Sequence, residues 1–240
     1  MLFFYLIFVR RTFFDILEEH SMAPEKIGLY EPVREIYSKE KAEMMWIDHD
    51  ENKERIFGSM MGKRKAPKYD FMVAWNRGTK NPALNYMFFY TTKQNFLKFQ
   101  EKFMSIFDQL FNLCEGLYAY VSEETAKKRK HVPGDLSTRI PGMFWCNYFG
   151  RKYVDFFTKE KIQAGDWFKI KSIGEGGLKI FLTKGVDGEI ITDTSIEQRA
   201  KQYLGIDCFG DRSEYLLNPE TYQVKRVPPL DLSDICVRLN

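Results

Sequence analysis

From Pro141 to Gly150 the chain reads Pro-Gly-Met-Phe-Trp-Cys-Asn-Tyr-Phe-Gly, ten residues with no charge and four aromatic rings. A run of this kind belongs in the interior, where aromatic side chains contribute most of the buried area. Asn147 is the exception within it, and a buried amide that finds no partner costs about 1–3 kcal/mol. The fold therefore has to enclose that amide in an apolar layer and satisfy it there. Residues Arg151 and Lys152 bring the first charges, ahead of Tyr153 and Val154.

The rest of the chain supplies elements to build such a layer. Thr12 with Asp15 fits an N-terminal cap for a helix to about Glu19, and His20–Pro24 breaks it. Ile27–Pro32 reads as extended, Ser38–Ile47 as a helix with Ala42, Met45 and Trp46 on one side, Asp48–Asn52 as a polar turn, and Lys63–Lys68 as a basic loop. Tyr69–Trp75 and Leu84–Tyr90 have the composition of paired strands around a turn-rich segment. The clearest helix spans Lys93–Cys114 behind Thr91-Thr92. Phe96, Phe99, Phe103, Ile106, Leu110 and Leu113 recur at spacings of three and four, a core-facing stripe, and Gly116 suits the stop.

Further on, Tyr118–Val121 reads as a strand and Ser122–Lys130 as a helix. Acids in its first turn and Lys127–Lys130 in its last complement the helix dipole. A short helix is expected from Tyr153 to Ile162, then a hairpin of Trp167–Ile173 with Leu178–Thr183 about Gly174-Glu175-Gly176-Gly177. Thr194 with Glu197, or Ser195 with Gln198, caps a helix to Leu204 that Gly205 ends. The tail from Asp211 has little pattern, although Tyr222–Val227 suits a sheet edge. No internal repeat or linker is visible, so the expectation is α+β, a single domain over residues 1–240 with a mostly antiparallel sheet covered by helices.

Composition narrows the options. Thirty-six basic and 33 acidic residues leave a net charge of +3, too little to make the whole chain a polyanion binder. Cys114, Cys146, Cys208 and Cys236 form no C-x-x-C pair, which argues against zinc or a redox motif and for thiols in a reducing compartment. The apolar run Met1–Val9 is followed, not preceded, by its arginines and is too short to span a bilayer, so it reads as a buried first strand, with a weak or truncated export signal as the alternative, and stable membrane insertion is not expected.

The sequence spells out little chemistry. The glycine-rich loop at Gly174 precedes a strand, where a phosphate-cradling loop would precede a helix. His20, His49 and His131 stand apart in polar surroundings, and Asp48-His49-Asp50-Glu51 lacks the spacing of a calcium loop. No G-x-S-x-G elbow occurs. Two alternatives stay open: an enzyme whose site assembles from distant segments such as Asp48, His49, Asp50 and Asn147, and a weak nucleic-acid module built on Lys63–Lys68 and Lys127–Lys130.

The segment Gly142–Gly150 with Tyr153-Val154 resembles the signature of bacterial immunity proteins from polymorphic-toxin and type VI secretion systems, the immunity-protein-52-like and related families. The likeness extends over roughly residues 69–210. The strand and long helix before Tyr120-Val121, the Gly-Gly turn, the Leu178–Leu182 strand and the helix ending Tyr203-Leu204-Gly205 follow in order. It implies a cytoplasmic or periplasmic inhibitor that binds a cognate toxin protein, encoded by a neighbouring gene, and is not a catalyst. No catalytic residue, metal or cofactor is implied, and nucleic acid is not a favoured partner. Gly142, Trp145, Asn147, Tyr148, Phe149, Gly150 and Tyr153 would then be mainly structural: Trp145, Tyr148 and Phe149 as core, Gly142 and Gly150 where the backbone needs room, and Asn147 as a buried bracket. The toxin-facing surface varies between relatives, so no toxin-binding residue follows from the motif.

Overall fold

A computed structural model describes residues 12–51, 57–76, 86–130, 139–186, 194–219, 221, 222 and 224. The expected strand over Met1–Val9, the Pro133 loop, the side chain of His49 and most of the Tyr222–Val227 segment lie outside the described residues. The class is α+β. In place of one sheet there are two, both antiparallel, one in each of two compact units: Met1–Cys114 with Asp231–Asn240, and Glu115–Leu230.

The first unit opens with helix α1 (residues 12–19), which buries Phe13, Phe14, Ile16 and Leu17. Its sheet runs in the order β2 (Glu35–Ile36), β1 (Lys26–Gly28), β3 (Phe57–Lys65), β4 (Lys68–Asn76), β5 (Tyr86–Thr91). Helix α2 (Lys39–Glu51) buries Ala42 and Trp46. One face of the sheet, with Ile27, Met60, Tyr69, Phe71 and Val73, joins Phe13, Trp46 and the long-helix stripe in a single core. Alternation along β4 sends Phe71 and Val73 to that face, as their spacing implied.

Three local elements differ from the expectation. Lys63, Arg64 and Lys65 are strand residues rather than a loop, and only Ala66-Pro67 turns the chain between β3 and β4. Asp48–Glu51 continues α2 as helix rather than forming a turn. The long helix is two: α3 (Lys93–Lys98) and α4 (Gln100–Leu113), with a break at Phe99 (φ −119°, ψ 24°). Thr92 caps α3 by accepting from the Asn95 N–H. Phe103, Ile106 and Leu110 are buried, and Phe96, Phe99 and Leu113 pack on the same core, so the stripe survives the break. After α4 it is Glu115, at φ 46°, that takes the left-handed position assigned to Gly116.

The second unit orders its sheet β6 (Tyr118–Val121), β7 (Cys146–Phe149), β9 (Gly177–Phe181), β8 (Lys169–Ile173). Helix α5 (Glu124–Lys130) starts where Glu123 accepts from the Thr125 and Ala126 N–H groups. Helices α6 (Arg151–Phe157) and α7 (Lys159–Gln163) replace the one short helix expected, divided at Thr158. The β8–β9 loop is a tight turn with Gly174 at φ 52° and Gly176 at φ 77°, conformations that favour glycine. Helix α8 (Thr194–Leu204) ends at Gly205, φ 127°, and α9 (Arg212–Leu217) follows in the segment that carried no pattern. No helix among the described residues is long and apolar enough to cross a membrane.

Candidate functional site

The uncharged run becomes β7, paired with β6 on one side and β9 on the other, and all four of its residues are buried. A strand covered on both faces needs no polar alternation, which is why this one has none. Asn147 and Phe149 share one face with Leu178 and Ile180 of β9; Phe149, Leu178 and Ile180 belong to a core with Ile140, Met143, Tyr153, Val154, Phe157, Leu204 and Phe209.

Asn147, 0% exposed, sits opposite Tyr120 and Ile180. Its Oδ1 accepts from the Phe144 N–H (2.9 Å) while its Nδ2 donates to the Phe144 carbonyl (2.7 Å). One side chain thus satisfies both polar groups of a buried residue that has no ladder partner of its own, as a neighbouring strand would. Tyr118 completes the network: its hydroxyl donates to the Gly142 carbonyl (2.8 Å) and lies 3.3 Å from the Asn147 Oδ1. Burial, reinforced by nearby acidic groups, pushes the Tyr118 phenol well above its ordinary pKa, so it remains a donor.

On the opposite face of β7, Tyr148 is fully buried and Lys179 is only 3% exposed, with its ammonium 5.2 Å from the centre of the Tyr148 ring and 5.7 Å from that of Phe181. Trp145 packs edge-on to Phe181 and donates from its indole N–H to the Thr183 carbonyl (3.1 Å). Gly150 meets the backbone itself. Its N–H donates to the Leu117 carbonyl (2.8 Å), and a Cβ there would lie 2.0 Å from the Gly116 oxygen. Gly142, Trp145, Asn147, Tyr148, Phe149, Gly150 and Tyr153 are all buried. Residues this enclosed hold the fold.

Among the described residues, the others singled out from sequence are not gathered into a site; the side chains of Asp48, His49, Asp50, Arg129 and Lys130, and all of His131, lie outside them. Lys63 pairs with Glu31 (2.9 Å), whose carboxyl it holds below the ordinary range. Arg64 donates to the Ala66 and Ala23 carbonyls (2.8 and 2.5 Å), and Lys128 pairs with Glu124 one helical turn away. Gly174 and Gly176 turn a hairpin. Among the described residues no three His, Cys, Asp or Glu side chains come together as metal ligands would.

Sequence reasoning missed two features. The first is a buried ion pair on α8, Lys201 with Glu197 at 2.8 Å, both side chains under a tenth exposed. The i, i+4 spacing was present in the sequence, but spacing alone does not reveal burial. The second is the outer face of the first sheet, which β3 had to be recognised to see. Register places Met61, Met72 and Phe88 in one row and Lys26, Lys63, Asp70 and Tyr90 in the next, with Ile36 at its far end. Exposure rises along this face, from buried Ser59 and Ala74 through the half-buried methionines to Tyr86 (47%), Tyr90 (45%) and Ile36 (75%). Tyr86, Phe88 and Tyr90 form a ladder, with ring centres 6.2 and 5.0 Å apart. Methionine and aromatic side chains with a charged border are the composition of protein-binding surfaces.

Comparison of the chain with family models, curated proteins and solved structures finds no match.

Proposed function

We propose that this protein is a non-catalytic immunity protein that binds a cognate bacterial toxin and blocks it, with the outer face of the first sheet as the contact surface. One observation carries the reading. The residues on which the likeness to immunity proteins rests, Gly142–Gly150 with Tyr153 and Val154, are all buried in the second unit, and Asn147 spends its amide on Phe144. A shared core with a variable surface is what a set of inhibitors against different toxins requires. Met61, Met72, Tyr86 and Phe88 are adaptable or rigid apolar anchors of the kind that dominate binding energy. The cytoplasm is the compartment we assign, on the reading of its cysteines as thiols.

The test is co-expression with the product of the adjacent gene. Rescue of growth and a co-purifying complex are expected. A harmless neighbour that forms no complex would refute the proposal.

A further inference from the structure

Past the methionine row, the outer face of the first sheet turns basic. Lys26 and Lys63 stand in the next row beside Asp70, and Lys65 faces Lys68 in the row after it, where β3 turns into β4. Alternation keeps all of these side chains on the outer face. The neighbouring acids are engaged elsewhere: the Glu31 carboxylate holds the Lys63 ammonium (2.9 Å), and the Glu25 carboxylate accepts from the Lys65 backbone N–H (3.3 Å). Lys26, Lys65 and Lys68 are exposed, and among the described residues no carboxylate pairs with their ammonium groups. Like charges directly opposite one another on a sheet are destabilising. The Lys65–Lys68 pair therefore breaks a local rule of sheet stability, as sequences do at sites of recognition.

Resting on the reading that this face binds the toxin, we infer that the toxin's contact surface is acidic, with carboxylates set against Lys26, Lys65 and Lys68 beside an apolar centre that covers Met61, Met72 and Phe88. Reach and desolvation carry the inference. A protein seated on the methionine row covers about 800 Å² on each side, a patch about 30 Å across. Lys68 is four residues along β4 from Met72, about 14 Å, and falls within that footprint, as do Lys26 and Lys65. An ammonium group brought under a partner loses water, and only an opposing negative charge compensates it. Acidic groups there also speed the encounter and exclude partners of the wrong charge. The thioether row suits the apolar side chains of a protein, whereas a nucleic-acid strand would rest its bases on rings and its phosphates on the lysines.

The test is calorimetric titration of the adjacent gene's product into the full chain and into the double variant Lys65→Glu with Lys68→Glu, with thermal melts to confirm folding. Lys169→Glu with Lys171→Glu, exposed on β8 of the second unit, makes the same change in net charge away from the first sheet. The Lys65/Lys68 variant is expected to bind about tenfold or more weakly, and the Lys169/Lys171 variant as wild type. Raising sodium chloride from about 50 to about 300 mM is expected to weaken the wild type more than the Lys65/Lys68 variant. Equal affinity of the wild type and the Lys65/Lys68 variant overturns the inference; if Met72→Lys still weakens binding, the toxin reading stands without it. Equal loss in both charge variants also overturns it, assigning the effect to net charge. A wild type that binds no toxin refutes the toxin reading and the inference together. A single-stranded DNA 20-mer that binds the wild type and not the Lys65/Lys68 variant, while toxin affinity is the same in both, assigns the lysines to nucleic acid and overturns the inference.

Discussion

Replacing Asn147 by alanine separates structural from recognition roles in the uncharged run. The substitution removes the acceptor at 2.9 Å from the Phe144 N–H and the donor at 2.7 Å from its carbonyl. Phe144 is fully buried, so water cannot stand in, and each orphaned group costs about 1–3 kcal/mol. The gross penalty is about 2–6 kcal/mol; relief of the asparagine's own desolvation and the retained Tyr118–Gly142 bond bring the expected loss to about 3 kcal/mol. In a chain of this size that lowers Tm by about 6–12 °C. Urea or thermal unfolding followed by circular dichroism measures it. Asn147→Asp is expected to be worse at neutral pH, since a carboxylate oxygen then faces the Phe144 carbonyl. Toxin affinity of the folded Asn147→Ala protein is expected to match wild type. A loss of stability under about 0.5 kcal/mol would refute the bracket, being the scatter of surface substitutions, and a stable variant that no longer binds would return Asn147 to the interface.

Gly150→Ala is expected to cost about 3 kcal/mol or more, at the top of the range for overpacking, because its Cβ would overlap a main-chain oxygen at 2.0 Å; a thermal melt within about 2 °C of wild type would contradict this. Lys201→Met leaves Glu197 buried without the partner at 2.8 Å and should lose about 3–5 kcal/mol, whereas Glu197→Leu with Lys201→Met should recover most of it; denaturant midpoints of the three proteins decide. Burial raises the phenol pKa of Tyr118, Tyr69 and Tyr37 above the ordinary value. Above pH about 10 the unfolded chain releases those protons while the folded chain keeps them, so stability is fully present below that pH and falls as pH rises. Unfolding midpoints between pH 8 and about 11 should decline, and less steeply in Tyr118→Phe; a flat profile would contradict the assignment.

Local signals carried the parts of the fold that depend on spacing or caps. The Phe96–Leu113 stripe, the Thr92 cap, the Gly174–Gly177 turn and the Thr194–Leu204 helix each rest on residues within a few positions of one another. What escaped rests on distant neighbours. Strand β3 ends in Lys63-Arg64-Lys65, which read as loop, and contains Gly62, which belongs there because the ring of Phe71, across the ladder on β4, lies where its Cβ would be, at 2.1 Å. The break at Phe99 has neither glycine nor proline to announce it. Asn147 was legible as a buried amide needing partners, but its partner was not, since Phe144 is three residues away and bent back by a chain path that only the fold determines. The outer face of the first sheet was invisible for the same reason as β3.

In the function proposed above, the Asn147 core holds the fold and the outer face of the first sheet binds the toxin. Calorimetric titration of the toxin into Met72→Lys tests both halves at once. Met72 is half-buried in the centre of that face, and a lysine stem can lie along it with its charge in water, so the fold is expected to hold. The predicted result is an unchanged melting curve with affinity reduced about tenfold or more, the loss of one apolar anchor. Wild-type affinity in a folded Met72→Lys protein would contradict the account.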